Sequence, residues 1–169
     1  MVALATLNTA DEAAFCHLVG PLFEATPGLA ALLWHKRPFP DATALKLAAV
    51  SVIEELDDAP KLAYVQAHPE LAGSAARLGQ MAAHSVDEQA GVSLDRLDPT
   101  QQAQFDRNNA AYRERFGFPF IAAVKLHTRD SLLAAFAARL GNTPREELDR
   151  AVAEICTIVG FRIDALLDG

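Results

Sequence analysis

The sequence predicts an all-α fold: a single-domain helical bundle of about seven to nine helices over residues 1–169, with one non-helical Gly-Phe-Pro segment. Three observations carry that prediction. Hydrophobic residues fill 51% of the chain, with alanine and leucine dominant, and only nine glycines and nine prolines are spread through it. Apolar residues recur at three- and four-residue spacing, and no stretch alternates as a half-buried strand would. Pairs of short polar residues and acids or amides three positions apart mark helix starts, as capping boxes do. At 169 residues one ordinary domain can bury most of its apolar surface without disulfides or metals.

Each element follows from its own local chemistry. Thr9 with Glu12 predicts a capped first helix running to about residue 19. Leu45, Ala49, Val52, Ile53 and Leu56 line one face of a helix from Ala42 to Leu56. Ser85 with Glu88 is a further capping box, and Asp98 with Gln101 another, with Pro99 at the first helical position of a segment reaching about Phe116. Leu132 to Leu140 reads as a helix ended by Gly141 as its C-cap. Thr143 with Glu146, around Pro144, opens the last helix, where Leu148, Val152, Ile155, Val159 and Ile163 form an apolar stripe. Pro38-Phe39-Pro40 and Asp57-Asp58-Ala59-Pro60 read as interruptions within the fold. Phe116-Gly117-Phe118-Pro119-Phe120-Ile121 is apolar but cannot be regular helix throughout.

Charge and cysteine usage exclude several functions. With 22 acidic against 15 basic residues and a net charge of −7, the chain has no basic footprint for nucleic acid. Cys16 and Cys156 lie far apart without a CxxC or Cys/His cluster, so they read as small core residues of a reducing compartment. Met1 to Leu7 lacks the basic flank of a secretory signal, no apolar run reaches membrane-spanning length, and Leu167-Asp168-Gly169 is not a Ser-Lys-Leu address. A cytoplasmic protein without membrane contact is expected.

Candidate chemistry begins at His68-Pro69-Glu70-Leu71-Ala72-Gly73. His68 can exchange a proton near neutral pH, and Pro69 pushes it out of the α region, which predicts a histidine at a helix entrance. Glu88 serves either as the reciprocal acceptor of its capping box or as a carboxylate beside an imidazole. Arg162 interrupts the apolar stripe of the last helix, and it either snorkels to water or is held for an anion. The Gly-Phe-Pro segment is either a buried kink or a pocket wall whose backbone groups meet a polar ligand. Helix N-termini expected at 69 and 86 would also suit an anion.

Together, His-Pro-Glu-Leu-Ala-Gly, Ser-x-x-Glu-Gln-Ala-Gly, Asn109-x-x-Tyr112, Phe116-Gly-Phe-Pro-Phe-Ile, Arg139-Leu140-x-Asn142 and the late Arg162 resemble the OHCU decarboxylase family of uric acid degradation, over about residues 10 to 167. The resemblance implies a cofactor-free homodimeric enzyme that decarboxylates 2-oxo-4-hydroxy-4-carboxy-5-ureidoimidazoline, a small anionic ureide, to (S)-allantoin. It implies His68 and Glu88 as the catalytic pair and Arg162 as the substrate-binding arginine. Pro69, Ser85, Val86, Asp87, Glu88, Gln89, Phe120, Ile121, Ala122, Ala123 and Val124 match positions that line the substrate, and no metal site is implied. Ser74, His84, Lys125-Leu126-His127 and Gly160-Phe161 depart from the family's common residues. Two alternatives stay open, a decarboxylase of a related ureide and a non-catalytic helical module that binds ureides.

Overall fold

Helix boundaries follow local capping in the computed structural model, which describes residues 2–24, 26, 28–73, 88, 94 and 96–168. The described residues contain eight numbered α-helices and no strand: α1 Leu4–Thr9, α2 Glu12–Val19, α3 Gly28–Trp34, α4 Ala42–Glu54, α5 Asp58–Gln66, α6 Pro99–Phe116, α7 Arg129–Arg139 and α8 Pro144–Asp168. Two short 3-10 turns, Gly20–Phe23 and Val124–Leu126, complete the regular structure.

Several boundaries match the sequence reading and several correct it. Asp98 accepts from the backbone of Thr100 and Gln101 while the Gln101 side chain reaches back, so the α6 capping box is as expected. Thr143 and Glu146 exchange hydrogen bonds at the start of α8 in the same way. Thr9, by contrast, ends α1 and donates to the Ala5 carbonyl at 2.9 Å. Asp11 caps α2 instead, accepting from Ala14 N–H at 2.8 Å, because a carboxylate directly before the helix is the stronger cap. The segment Asp57 to Pro60 is no interruption but the start of α5. Proline is tolerated there because first-turn N–H groups have no intrahelical partner to lose. Helix α7 begins three residues before Leu132, capped by a Thr128–Ser131 box, and its C-cap Leu140 is right-handed (φ −60°). Gly141 is therefore not a left-handed cap.

Residues divide into two compact units, Met1–Tyr64 with Cys156–Gly169 and Val65–Ile155. In the first, Phe15, Val19, Phe23, Leu33, Leu45, Ile53 and Ile163 are fully buried. Arg37 organises its N-terminal part: Nη1 donates to the carbonyls of Leu7, Asn8 and Ala10 at 3.0, 3.2 and 2.6 Å, satisfying the orphan acceptors at the end of α1. Its guanidinium also stacks 4.4 Å over Trp34. Val2 N–H bonds the Leu166 carbonyl at 2.9 Å, tying the chain's start to α8.

The second unit centres on aromatic rings. Phe120 stacks on Phe136 at 3.8 Å, and Tyr112 meets Phe116, Phe118, Phe120 and Phe136 edge-on or tilted at 4.7 to 6.1 Å. Each such ring contributes about 1.5–3 kcal/mol by leaving water. Gly117 ends α6 with φ 74°, the left-handed cap that turns the chain into the irregular segment after it. Cys16 and Cys156 are free thiols and only half-buried, not the core residues expected. No helix among the described residues is long and apolar enough to cross a membrane.

Candidate active site

His68 follows the end of α5 rather than opening a helix. Its N–H donates to the Val65 carbonyl at 3.2 Å, and Pro69 and Glu70 are non-helical, so no helix N-terminus forms at residue 69. The imidazole-bearing residue is 7% exposed. The loop after it turns through Ala72 at φ 51° and closes with Gly73 N–H on the Glu70 carbonyl at 3.3 Å. A Cβ on Gly73 would lie 2.7 Å from Glu70 Cβ, which explains why the motif ends in glycine.

One face of α6 holds this loop. Arg113 Nε donates to Glu70 Oε1 at 2.8 Å, Asn109 Nδ2 to the Leu71 carbonyl at 2.9 Å, and Gln102 Nε2 to the Ala72 carbonyl at 2.8 Å. Positions 102, 109 and 113 share a helical face, and loop residues 70, 71 and 72 are held in order along it. Gln66, just before the loop, donates to the Gly117 carbonyl at 3.0 Å. Asn109 was visible in the sequence as part of a motif, whereas Gln102 and Arg113 become recognisable only by their spacing from it.

The Gly-Phe-Pro segment is held from the other side. Ile121, Ala122, Ala123 and Val124 are buried, and Phe120 is fully so. Arg139 Nη1 donates to the Ile121 carbonyl at 2.7 Å, while its Nε and Nη2 donate to Glu147 Oε1 at 2.8 and 2.5 Å. Glu147 also accepts from Tyr112 Oη and, at 2.6 Å, from Asn142 Nδ2. The second halves of two sequence motifs, Tyr112 and Asn142, thus meet on one fully buried carboxylate. Burial, reinforced by the bond to Glu147, pushes the Tyr112 phenol well above its ordinary range, so it remains a proton donor. Two residues along, Ala123 N–H donates to Glu154 Oε2 at 2.8 Å, and Arg150 Nη2 donates to Glu154 Oε1 at 2.6 Å.

Glu147, Glu154 and Arg162 all lie on the buried side of α8, at intervals of seven and eight residues. Arg162 does not snorkel: it is 2% exposed. In the first unit its Nη2 donates to Glu24 Oε1 at 2.7 Å and its Nη1 to the Leu22 carbonyl at 3.2 Å. Glu24 has φ 51°, a backbone state that costs a non-glycine residue about 1–3 kcal/mol and is typical of functional positions. Tyr64 belongs to the same charged neighbourhood. Burial raises its phenol well above the usual range, and the Arg162 charge opposes that rise. Neither Glu24 nor Tyr64 was anticipated from sequence.

Glu88 is helical and half-buried. Ser85, Val86, Asp87, Gln89 and His84 lie outside the described residues. Among the described residues no three His, Cys, Asp or Glu side chains form a group that could hold a metal ion.

An all-α chain that straps the loop of a buried histidine from one helix and clamps an irregular segment from two others has the build of a helical small-molecule enzyme. The family model for OHCU decarboxylase matches residues 8–164, and the chain belongs to that family. It is 33% identical to 2-oxo-4-hydroxy-4-carboxy-5-ureidoimidazoline decarboxylase of Amia calva, across 95% of this chain and 92% of that one. Against the mouse protein of the same name the identity is 34%, across 95% and 90%. Among solved structures, a crystal structure of (S)-allantoin synthase superposes with a TM-score of 0.79 at 23% identity, over 99% of this chain and 54% of that chain. A crystal structure of OHCU decarboxylase in the presence of (S)-allantoin gives 0.70 at 18%, over 95% and 100%. These last two show the shared fold.

Proposed function

We propose that this protein decarboxylates 2-oxo-4-hydroxy-4-carboxy-5-ureidoimidazoline to (S)-allantoin in urate degradation. Support comes from family membership across residues 8–164 and from relatives of that name matched over nearly their whole length. The single structural observation that carries the reading is the strapping of the His68 loop by Gln102, Asn109 and Arg113. A histidine required only for packing needs no such register, whereas one that must present a proton to a fixed point does.

In this reading the bond from the ring carbon to the carboxylate breaks, CO2 leaves, and the electron pair moves into the substrate's own C=N. A proton must then reach one face of the ureido-bearing carbon. His68 handles that proton with Glu88 as its carboxylate partner, and Arg162 orients the anionic substrate. Pro69, the stretch 85–89 and the stretch 120–124 line it. The substrate supplies its own electron sink, so the chemistry requires no cofactor. The chain works as one functional unit, as a homodimer in the cytoplasm; the family match running across both compact units supports the first of these points.

Circular dichroism of freshly generated substrate tests the reading. Wild-type protein is expected to produce an (S)-allantoin signal faster than the spontaneous, racemic decay; a time course identical to that decay would exclude it.

A further inference from the structure

Backbone groups of an irregular segment can recognise a ligand only if the segment cannot drift, and residues 121–123 are fixed by two side chains of opposite charge. Arg139 of α7 takes the Ile121 carbonyl at 2.7 Å, and Glu154 of α8 takes the Ala123 N–H at 2.8 Å. In a trans peptide unit the C=O and the N–H that follows it point in opposite directions. The two clamps therefore turn the Ala122 N–H away from Arg139 and the Ala122 C=O away from Glu154. Ala122 is 3% exposed, and its N–H makes no hydrogen bond to the described residues. A buried donor calls for a partner, and in the decarboxylase reading the ureide supplies one.

Glu154 is itself built for this task. Its side chain is 7% exposed, and its second oxygen is held by Arg150, so the carboxylate has no freedom to swing away from Ala123. Ala123 also spends its carbonyl, on Leu126 N–H at 2.9 Å, which leaves the residue fully engaged and passes the ligand-facing role to its neighbour.

We infer that Glu154, with Arg139, is a positioning residue that aims the Ala122 N–H at an oxygen of the bound ureide. The inference rests on the decarboxylase reading, in which residues 120–124 line the substrate.

The test uses Glu154→Ala, Glu154→Gln and Glu154→Asp in the full-length protein. Wild type must first accelerate (S)-allantoin formation; if it does not, both the reading and the inference fall. Given that activity, Glu154→Ala is expected to raise KM, and the Kd for added (S)-allantoin, about tenfold, the scale of one hydrogen bond misaimed. Glu154→Gln, which keeps an acceptor for Ala123, should restore both to within about threefold. Glu154→Asp keeps the charge but is one methylene short of Ala123, so it should behave like the alanine variant and covers the case in which the alanine variant fails to fold. Hydrogen exchange at the Ala123 amide should accelerate in the same variants that raise KM. An active wild type with unchanged KM and Kd in Glu154→Ala or Glu154→Asp, whatever the melting temperature, overturns the positioning role alone.

Discussion

Asn109 Nδ2 donates to the carbonyl of Leu71 at 2.9 Å, so a buried amide on α6 holds the backbone three residues beyond His68. The bond spans 38 positions of sequence and ties a helix face to the loop that carries the imidazole. Replacing Asn109 by Leu keeps the branched shape and strands a buried carbonyl, at a cost of about 1–3 kcal/mol. We expect kcat to fall by about tenfold or more while KM changes little, since a shift near 1 Å at a reacting group is costly. Steady-state kinetics alongside thermal melting decide the matter; loss of stability with intact kcat would show that the loop does not need this strap.

Gly73→Ala probes the same loop from its other end. The new Cβ would sit 2.7 Å from Glu70 Cβ, and Glu70 is itself held by Arg113, so the turn after His68 must open. Activity should drop more than melting temperature does. A variant with normal turnover would mean that the loop relaxes without moving the histidine.

Arg139 and Glu147 form a buried pair in which removal of either partner strands a charge. Glu147→Leu should destabilise the protein by about 3–5 kcal/mol. Replacing both residues by apolar ones of similar size should recover much of that loss, yet leave the Ile121 carbonyl without its donor. Denaturant unfolding of the single and double variants checks both statements, and poor activity in the refolded double variant is the expected signature.

Cys156 gives a pH dependence of known sign. Burial first, and the nearby Glu54 carboxylate second, push its thiol up from the usual 9.0 to about 11. The folded state thus favours the protonated form. That contribution to stability is fully present below the ordinary thiol range and is lost as pH rises toward about 11. Alkylation by iodoacetamide in the folded protein should be slow at pH 8 and climb steeply only above pH 10. Rapid labelling near neutrality would contradict the burial assigned to this residue.

Local signals were legible where partners are close in sequence. The Asp98–Gln101 and Thr143–Glu146 boxes and the apolar stripe of α8 could all be read directly, because capping and helical periodicity act within a few residues. Thr9 misled because Asp11, two residues later, is a stronger competitor for the same helix start. Helix α5 was hidden by Pro60, whose lost donor matters only beyond the first turn. His68 stood out by residue type, but no helix starts at Pro69, and the anchors of the loop come from α6, more than thirty residues away. Glu24 and Glu154 were illegible for the same reason: Glu24 is 138 residues from Arg162, and Glu154 is 31 from Ala123. One clue to Glu154 was present, since an acid seven residues after another on the apolar face of one helix has no solvent to face.

Arg162 separates an anion anchor from a purely structural cation. Its pair with Glu24 implies that Glu24→Gln loosens the guanidinium without removing it. The expected result is a KM raised several-fold with kcat nearly unchanged. Equal KM with a lowered melting temperature would assign the pair to the fold alone.

Proton delivery by His68 is the central claim, and product chirality reads it most directly. Circular dichroism of freshly generated substrate should show rapid (S)-allantoin formation with wild type, and decay to racemic product at the spontaneous rate with His68→Ala or Glu88→Ala at equal, folded concentrations. Undiminished (S)-selective turnover in the His68→Ala variant would contradict the account.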